Sequence, residues 1–339
     1  MVAPSSVVPL IELSMGVATL EAAGFEVRVH PHVYRQDLFY AGTHEERAEA
    51  FAEFVLDPSI DVVWCARGGS GAFEVIQAVH PIFQKQSKKL RALARHKQIM
   101  GYSDITSLLE YMNAQWGWRA IHCPMPTARE FSVLPSLKTL LAVAKGKPLV
   151  QSHRLTWVSS IRPSPSQSIR GPLVGGNLTV WSTLVGTEHQ GRSKGCVLFF
   201  EEITEAWYRI DRMMTQMHAA GAFDGVKAMV LGTFTDCPDP VMSVLDETPE
   251  GGLSPKNLSQ WLKAEEPRKR MRPIRKSYPV DFLQKEVFAR WSERLGIPIA
   301  IGLPCGHGTA GFEPLEFGVK VELNARGVFK PIRPKTVKK

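Results

Sequence analysis

The sequence predicts an α/β protein of two domains, the first of them built around a parallel sheet. Strand-like apolar runs alternate with helical patterns over the first half of the chain. Residues 61–66 are almost all apolar, which is typical of a parallel strand that is covered on both faces. A stretch rich in Pro and Ser then interrupts the alternation. We therefore predict an N-terminal domain over residues 1–150, a linker over 151–170 and a C-terminal domain over 171–339.

Recognisable signals bound the elements of the first half. The helical spacing of residues 10–23 ends at Gly24, a residue type that favours the position after a helix. Thr43 and Glu46 have the spacing of a capping box and open a second helix. The apolar or alternating runs that we predict as strands are residues 2–8, 25–29, 61–66 and 99–100.

The second half mixes strands and helices. Residues 238–296 form an extended segment, rich in Pro and charge, that we expect to be a loop apart from one helix. The predicted strands are residues 196–200, 228–231, 298–303 and 319–323, and the predicted helices are residues 206–220 and 281–294.

Composition points to a cytoplasmic protein without a membrane partner. The chain has 339 residues, of which 44% are hydrophobic and 22% are charged, as in soluble globular proteins. No apolar run approaches the ~20 residues that span a bilayer. The first residues lack the basic region and cleavage site of a secretion signal.

The cysteines and basic residues give no sign of a metal or nucleic-acid site. Five cysteines occur without a C-x-x-C pair, so we expect reduced thiols, with Cys65, Cys123 and Cys196 in the core. The net charge of +8 is concentrated in residues 85–97, in residues 268–276 and at the C-terminus. No aromatic residues are interleaved with the two internal runs as in a base-stacking surface, so we expect solvated loops.

Ser103 lies at a predicted strand–turn–helix junction, in the sequence Gly101-Tyr102-Ser103-Asp104. A serine there can project its Oγ from the end of a sheet, with the next backbone N–H beside it as an oxyanion donor. Alternatively, Ser103 only caps the helix. Because the motif is not the G-x-S-x-G elbow, the motif alone favours the cap.

A glycine-rich turn, residues 67–71, follows the buried strand 61–66. It lacks the spacing of a nucleotide-binding loop. Since the carboxyl ends of parallel strands meet at one edge of a sheet, this turn is expected beside Ser103, where a bare N–H can serve as a second oxyanion donor.

Two further side-chain types complete a candidate serine triad. Glu201 and Glu202 follow an apolar strand, and His307 lies on a Gly-rich turn. Alternatively, the two glutamates begin a helix and His307 is an ordinary loop histidine. Because side chains alternate along a strand, Glu201 and Glu202 point in opposite directions and only one of the two can serve. Glu205 is a third candidate to face the histidine.

Taken together, these stretches resemble the LD-carboxypeptidase family of serine peptidases, which includes muramoyltetrapeptide carboxypeptidases and microcin C self-immunity peptidases. The resemblance runs nearly from end to end. It rests on Ala41-Gly42-Thr43 with Glu45-Glu46-Arg47-Ala48, Trp64-Cys65-Ala66-Arg67-Gly68-Gly69, Gly101-Tyr102-Ser103-Asp104-Ile105-Thr106, Gly175-Gly176-Asn177-Leu178, Glu201-Glu202-Ile203-Thr204-Glu205 with Tyr208-Arg209-Ile210-Asp211-Arg212, and Gly306-His307.

The resemblance implies a nucleophile at Ser103, a triad acid at Glu201 and a base at His307, with oxyanion donors at the backbone of Asp104 and Gly69. It implies a Rossmann-like parallel sheet domain followed by a smaller, mixed α/β and partly barrel-like domain, in a homodimer. It implies no metal and no cofactor. The implied substrate is a murein tetrapeptide, cut in peptidoglycan recycling between an L-centre of diaminopimelate and terminal D-alanine.

Substrate contacts and alternatives stay open. Arg67 is a candidate for the terminal carboxylate of the substrate, and Ser70 stands where family members usually have Tyr, which affects specificity. Family members also have a shorter link than residues 238–296 and more residues ahead of Pro4, so we expect a short first strand.

One alternative is a microcin-immunity type of peptidase that cleaves aminoacyl-nucleotide amides, with a base stacked on Trp181 or Trp207. The other is a non-catalytic ligand-binding protein on the same scaffold.

Overall fold

The computed structural model describes residues 1–128, 131–239, 277–308 and 312–332, together with the backbone of 243–245 and 271–273. Its nine described α-helices are α1 (Leu10–Ala22), α2 (His44–Leu56), α3 (Ala72–Lys85), α4 (Ser87–Leu93), α5 (Thr106–Trp116), α6 (Leu137–Ala144), α7 (Leu178–Leu184), α8 (Trp207–Ala219) and α9 (Val280–Leu295). Most of the helices predicted from the sequence are present with ends within one or two residues of the prediction.

The described strands number fourteen. They are β1 (Val62–Trp64), β2 (Gln98–Gly101), β3 (Arg119–His122), β4 (His153–Arg154), β5 (Thr156–Trp157), β6 (Ser168–Asn177), β7 (Val197–Ile203), β8 (Ala228–Thr235), β9 (Ser243–Leu245), β10 (Met271–Pro273), β11 (Ile299–Ile301), β12 (Leu315–Phe317), β13 (Lys320–Asn324) and β14 (Val328–Pro331). β9 and β10 pair with each other, and the other twelve form two sheets.

The first sheet has the strand order β1-β2-β3-β12. β1, β2 and β3 are parallel, and every residue of β2 is buried. The fourth strand, β12, comes from the second half of the chain and pairs antiparallel with β3. Hydrogen bonds of the first sheet therefore join the two halves. The parallel arrangement places the ends of β1 and β2, and the turns that follow them, at one edge.

The second sheet is nearly closed on itself. Its order is β4-β14-β13-β6-β7-β8-β11-β5, with a parallel centre from β6 to β11. The edge strands β4 and β5 are separated in the sequence by Leu155 alone. The two edges must therefore approach each other, and the sheet curls into a barrel-like shape. The predicted fold class, a parallel sheet domain with a mixed, partly barrel-like second domain, is confirmed.

Four expectations about secondary structure differ from the structure. Residues 238–296, expected to be a loop apart from one helix, also contain the paired strands β9 and β10. Residues 25–29 have no sheet partner, and the segment at 2–8 makes only isolated bridges, from Val2 to Cys65 and from Ser6 to Tyr40. Residues 151–170, predicted as a linker, contain β4 and β5. Alternation of apolar and polar residues identifies an extended segment. Whether another strand pairs with that segment depends on residues that are distant in the sequence.

One basic run differs from the solvated loop that we expected. Residues 85–97 contain α4, and Lys97 is buried. The Lys97 ammonium donates to the carbonyls of Phe54, at 2.9 Å, and of Asp57 at the end of α2. Burial lowers the pKa of Lys97 to about 8. The run 268–276 lies outside the described residues apart from the backbone of β10. All five cysteines are free and buried.

Glu110 on α5 is a buried carboxyl at the junction of the two halves. Its Oε1 accepts a hydrogen bond of 2.7 Å from the Gly175 N–H on β6, and only 2% of the residue is exposed. Burial raises its pKa to about 7, although the Gly175 hydrogen bond opposes this. In the folded state Glu110 therefore keeps its proton up to a pH of about 7. In the unfolded state the same carboxyl releases its proton near its ordinary pKa of 4.5.

We expect Glu110→Gln to be more stable than the wild type above pH 7. The Glu110 contribution to stability is complete below pH 4.5 and is lost as the pH rises to about 7, a change of roughly 3 kcal/mol. Gln keeps an acceptor for Gly175 without titrating. Denaturant unfolding at pH 5 and pH 8 measures the effect, with the exposed Glu12→Gln as control. An equal pH dependence in all three proteins would contradict this expectation.

Candidate active site

Ser103 occupies a sharp turn between β2 and α5. Its φ of +63° is left-handed, a conformation that costs a residue with a Cβ of order 1 kcal/mol or more. Gly101 is the last residue of β2, just before this turn, and a Cβ there would come within 2.8 Å of the Ile105 side chain. This strained turn projects Ser103 from the end of β2, as the nucleophile elbow does in serine hydrolases.

The glycine-rich turn lies directly against Ser103. A Cβ added to Gly68 would lie 3.0 Å from Ser103 Cβ, 3.2 Å from Ser103 Oγ and 3.4 Å from Asp104 N. Gly69 has φ +111° and packs against Ser6. The predicted donors at Asp104 and Gly69 therefore belong to two chain segments in contact. Gly68 is a site residue that sequence reasoning missed, although two adjacent glycines are a signal of close backbone approach.

Glu201 and His307 form a buried pair. His307 Nδ1 lies 2.7 Å from Glu201 Oε2, which also accepts the His307 backbone N–H at 3.1 Å. Glu201 is fully buried and the side chain of His307 is 12% exposed. Burial by itself raises the pKa of Glu201, but the charge and hydrogen bonds of His307 outweigh it, and the pKa lies below its usual value. An ionised carboxylate only accepts, so Nδ1 carries the proton and Nε2 is left as the base.

The turn before His307 is shaped for close approach. Gly306 has φ +127°, and a Cβ there would come within 2.5 Å of Thr233 Oγ1 and 2.8 Å of Glu201 Cβ. Thr233 Oγ1 donates to the His307 carbonyl at 3.0 Å. The ring of Tyr102, next to Ser103, packs on the His307 ring at 4.6 Å. The pair thus lies beside the end of β2. Among the described hydrogen bonds, none joins His307 to Ser103 Oγ.

Glu202 points away from His307. Its carboxylate accepts hydrogen bonds from the Thr179 N–H at 2.8 Å, from Thr179 Oγ1 at 2.7 Å and from Asn177 Nδ2 at 3.2 Å. Glu202 therefore holds the N-terminus of α7. The structure resolves the choice that strand alternation left open, because Glu201 alone of the two contacts His307.

The stretch Gly175-Gly176-Asn177 seats β6 on the helix that follows Ser103. A Cβ at Gly176 would come within 2.4 Å of the Thr106 side chain. Thr106 Oγ1 accepts the Asn177 N–H at 3.0 Å. No role for this stretch follows from the sequence alone. Its glycines allow the two halves to meet at α5.

Of the residues predicted to contact a substrate, Arg67 and Ser70 lie on the surface, whereas Trp181 and Trp207 lie in the core. Arg67 is exposed, and its Nη1 donates to the Val7 carbonyl. Ser70 is exposed, and its N–H donates to Ser6 Oγ at 3.2 Å. Trp181 and Trp207 are 1% and 4% exposed. Neither tryptophan presents a face for a base, and the expectation that they stack one is wrong.

A cavity of about 650 Å³ lies away from these residues. It is lined in part by the starts of β1, β2 and β3, at the opposite edge of the first sheet from Ser103. In the described part of the chain, no three His, Cys, Asp or Glu residues are grouped as metal ligands. No described helix has the length and apolar character needed to cross a membrane.

Two family models match the chain in order. The LD-carboxypeptidase N-terminal domain model matches residues 1–123, and the C-terminal domain model matches residues 170–274, together more than half of the chain. The chain belongs to the LD-carboxypeptidase family. As a member of this family it is a serine-type peptidase, a hydrolase.

Individual relatives agree with this family. The murein tetrapeptide carboxypeptidase of Pseudomonas aeruginosa is 28% identical over 70% of this chain and 76% of its own length. The microcin C7 self-immunity protein MccF of Escherichia coli is 25% identical over 68% and 72%. The crystal structure of muramoyltetrapeptide carboxypeptidase from Oxalobacter formigenes covers 98% of this chain and 99% of its own, with 25% identity and a TM-score of 0.70.

Proposed function

We propose that this LD-carboxypeptidase family member hydrolyses the amide bond between an L-centre of diaminopimelate and the terminal D-alanine of a murein tetrapeptide, in peptidoglycan recycling. The observation that carries the proposal is the buried Glu201–His307 pair, 2.7 Å apart, at the end of the sheet from which Ser103 projects. The printed names of the Pseudomonas and Oxalobacter relatives support the substrate class.

In this proposal Ser103 is the nucleophile. His307 Nε2 takes the proton of Ser103 Oγ as that oxygen attacks the carbonyl carbon. The carbonyl oxygen becomes an oxyanion, held by the backbone N–H groups of Asp104 and Gly69, each contributing about 3–4 kcal/mol when well placed. Glu201 holds the Nδ1–H of His307 and stabilises the imidazolium that forms.

Collapse of the tetrahedral intermediate breaks the C–N bond. His307 gives its proton to the departing D-alanine nitrogen, which leaves an ester on Ser103. Water then attacks the ester while His307 takes a proton from the water, and Ser103 regains a proton as the product acid leaves. No step requires an oxidant or a reductant.

A terminal carboxylate of the substrate needs a cationic or N–H partner. We propose Arg67 for this role, because its guanidinium is exposed beside the residue 67–71 turn and can form a paired contact with a carboxylate. We also propose that Ser70, exposed on the same turn, contacts the substrate. We also propose that the protein is cytoplasmic and forms a homodimer. Five free, buried thiols support the cytoplasmic location. The family resemblance supports the homodimer.

Release of free D-alanine from a murein tetrapeptide tests the proposal. Wild-type protein should release D-alanine from the L,D-linked tetrapeptide, and a tetrapeptide ending in L-alanine should remain intact. An aminoacyl sulfamoyl adenosine, assayed in parallel, represents the microcin-immunity reaction. If the protein cleaves only the aminoacyl sulfamoyl adenosine, a microcin-immunity function replaces the proposed murein function. Binding of the tetrapeptide without any cleavage would favour a ligand-binding protein.

A further inference from the structure

The turn that carries the Gly69 donor depends on its surroundings for its shape. Residues 67–71 contain three glycines, two of them with left-handed backbone, at φ +111° for Gly69 and φ +117° for Gly71. Glycine gives the backbone more freedom than any other residue. An oxyanion hole, however, acts through donors that are already in place before the reaction. Contacts from outside the turn must therefore fix it.

Two buried side chains, a guanidinium and a carboxyl, hold one peptide unit at the end of this turn. Arg47 Nη1 donates to the Gly71 carbonyl at 2.8 Å, and Asp104 Oδ2 accepts the Ala72 N–H at 2.9 Å. This carbonyl and this N–H belong to the same peptide unit. Arg47 is 1% exposed and Asp104 is 9% exposed. The two side chains therefore fix the plane of that unit from both of its polar atoms, and the hydrogen bond from Arg47 is charge-assisted.

The same two side chains hold the chain segment behind the turn. Arg47 Nη1 donates to the Pro4 carbonyl at 2.8 Å, and Ser5 Oγ donates to Asp104 Oδ2 at 2.6 Å. Arg47 is itself oriented by Glu74, at 2.9 Å from Nη2. Residues 4–5 and 71–72 are thus joined through one guanidinium and one carboxylate.

Ser6 connects residues 4–5 to the part of the turn that carries the Gly69 N–H. Ser6 N–H donates to the Gly68 carbonyl at 3.2 Å, and Ser6 Oγ accepts the Ser70 N–H at 3.2 Å. A Cβ on Gly69 would come within 2.1 Å of Ser6 Oγ. The peptide units on both sides of Gly69 therefore rest on Ser6.

We propose that Arg47 and Asp104 act together as an oxyanion clamp, two positioning residues that set the distance between the backbone donors of the oxyanion hole. The inference rests on the proposed function and extends it. Asp104 contributes one donor through its main chain, while its carboxylate binds the turn that carries the other. A displacement of about 1 Å at a reacting group can cost about 100-fold in rate.

Asp104→Ala is the direct test of the clamp. The substitution keeps the backbone N–H of residue 104 and removes the side-chain acceptor. The hydrogen bonds from the Ala72 N–H and from Ser5 Oγ both end on Asp104 Oδ2, and alanine offers no acceptor in its place. We expect kcat for D-alanine release to fall about 100-fold, with KM within about threefold of wild type. Fluorophosphonate labelling of Ser103 should slow in parallel, because it needs the same oxyanion hole.

Two further variants separate positioning from stability. Ser5→Ala removes one hydrogen bond to Asp104, and we expect kcat to fall about tenfold with an intact fold. Arg119→Met is the control for a loss of stability alone, because Arg119 is a part-buried arginine that binds the carbonyls of Val143 and Lys147 and the carboxylate of Glu316 at the opposite edge of the first sheet. It should lower the melting temperature and leave kcat within about twofold of wild type.

The outcomes distinguish the clamp from the proposed function. An active wild type with unchanged kcat in Asp104→Ala and Ser5→Ala overturns the clamp and leaves the function intact. If Asp104→Ala does not fold, Ser5→Ala decides in the same way. A wild type that neither releases D-alanine nor reacts with fluorophosphonate at Ser103 overturns the proposed function and, with it, the clamp's catalytic role.

Discussion

Ser103→Ala is expected to abolish D-alanine release, with kcat at least about 10⁴-fold below wild type and the fold intact. The substitution removes the nucleophile, and triad members act as a unit, so the remaining residues cannot compensate. Single-turnover assays of tetrapeptide cleavage measure the loss. Circular dichroism and thermal melting establish that the fold is retained.

Ser103→Gly is the companion variant. Because Ser103 has φ +63°, glycine relieves backbone strain, and we expect the glycine variant to be about 1 kcal/mol more stable than the alanine variant while equally inactive. Ser182→Ala, on α7 away from the triad, serves as the active control. Turnover by Ser103→Ala near the wild-type rate would remove Ser103 from the mechanism.

Glu201→Gln should lower kcat by about 10³- to 10⁴-fold, the magnitude that follows loss of the acid in a serine triad. The amide carries no charge to stabilise the His307 imidazolium, and it can hold the ring in the wrong tautomer. The kcat/KM value measured from pH 5 to pH 9 reports the loss. Since the pKa of Glu201 lies below its usual value, its charge is present throughout this range.

Glu202→Gln is a matched control on the adjacent residue. Both glutamates are buried, at 0% and 2% exposure, but Glu202 binds Thr179 and Asn177 on the other face of β7. We expect kcat within about threefold of wild type and a loss of about 1–3 kcal/mol in the free energy of unfolding. The reverse pattern, with Glu202→Gln inactive and Glu201→Gln active, would exchange their roles.

Much of the local structure follows from short-range signals. The capping box at Thr43 and Glu46 is formed as predicted, because both partners lie within one helical turn. The turn at Ser103 follows from a buried strand that runs into a helix. By contrast, the predicted strand at residues 25–29 has no sheet partner, because pairing depends on a neighbour that the local pattern does not specify.

The family and the identities of the candidate catalytic residues could be read from the sequence, since motifs in a fixed order identify a family even when each is weak alone. The triad itself stays a prediction that the variants above test. The placement of Arg67 and Ser70 on the surface of the residue 67–71 turn is consistent with substrate contact, and no local signal indicates which atoms of a substrate they meet.

The chemical groups available, their order along the chain and the α/β class depend on residue type and on contacts between near neighbours, so the sequence predicts them. Three features depend on long-range packing instead: Glu201 rather than Glu202 faces His307, Gly68 lies against Ser103, and Arg47 and Asp104 hold one peptide unit between them. These are contacts between segments tens to hundreds of residues apart, and the same local patterns permit several such arrangements. The two edges of the barrel-like sheet meet for the same reason: packing of the whole chain, rather than the residues of β4 and β5, brings them together.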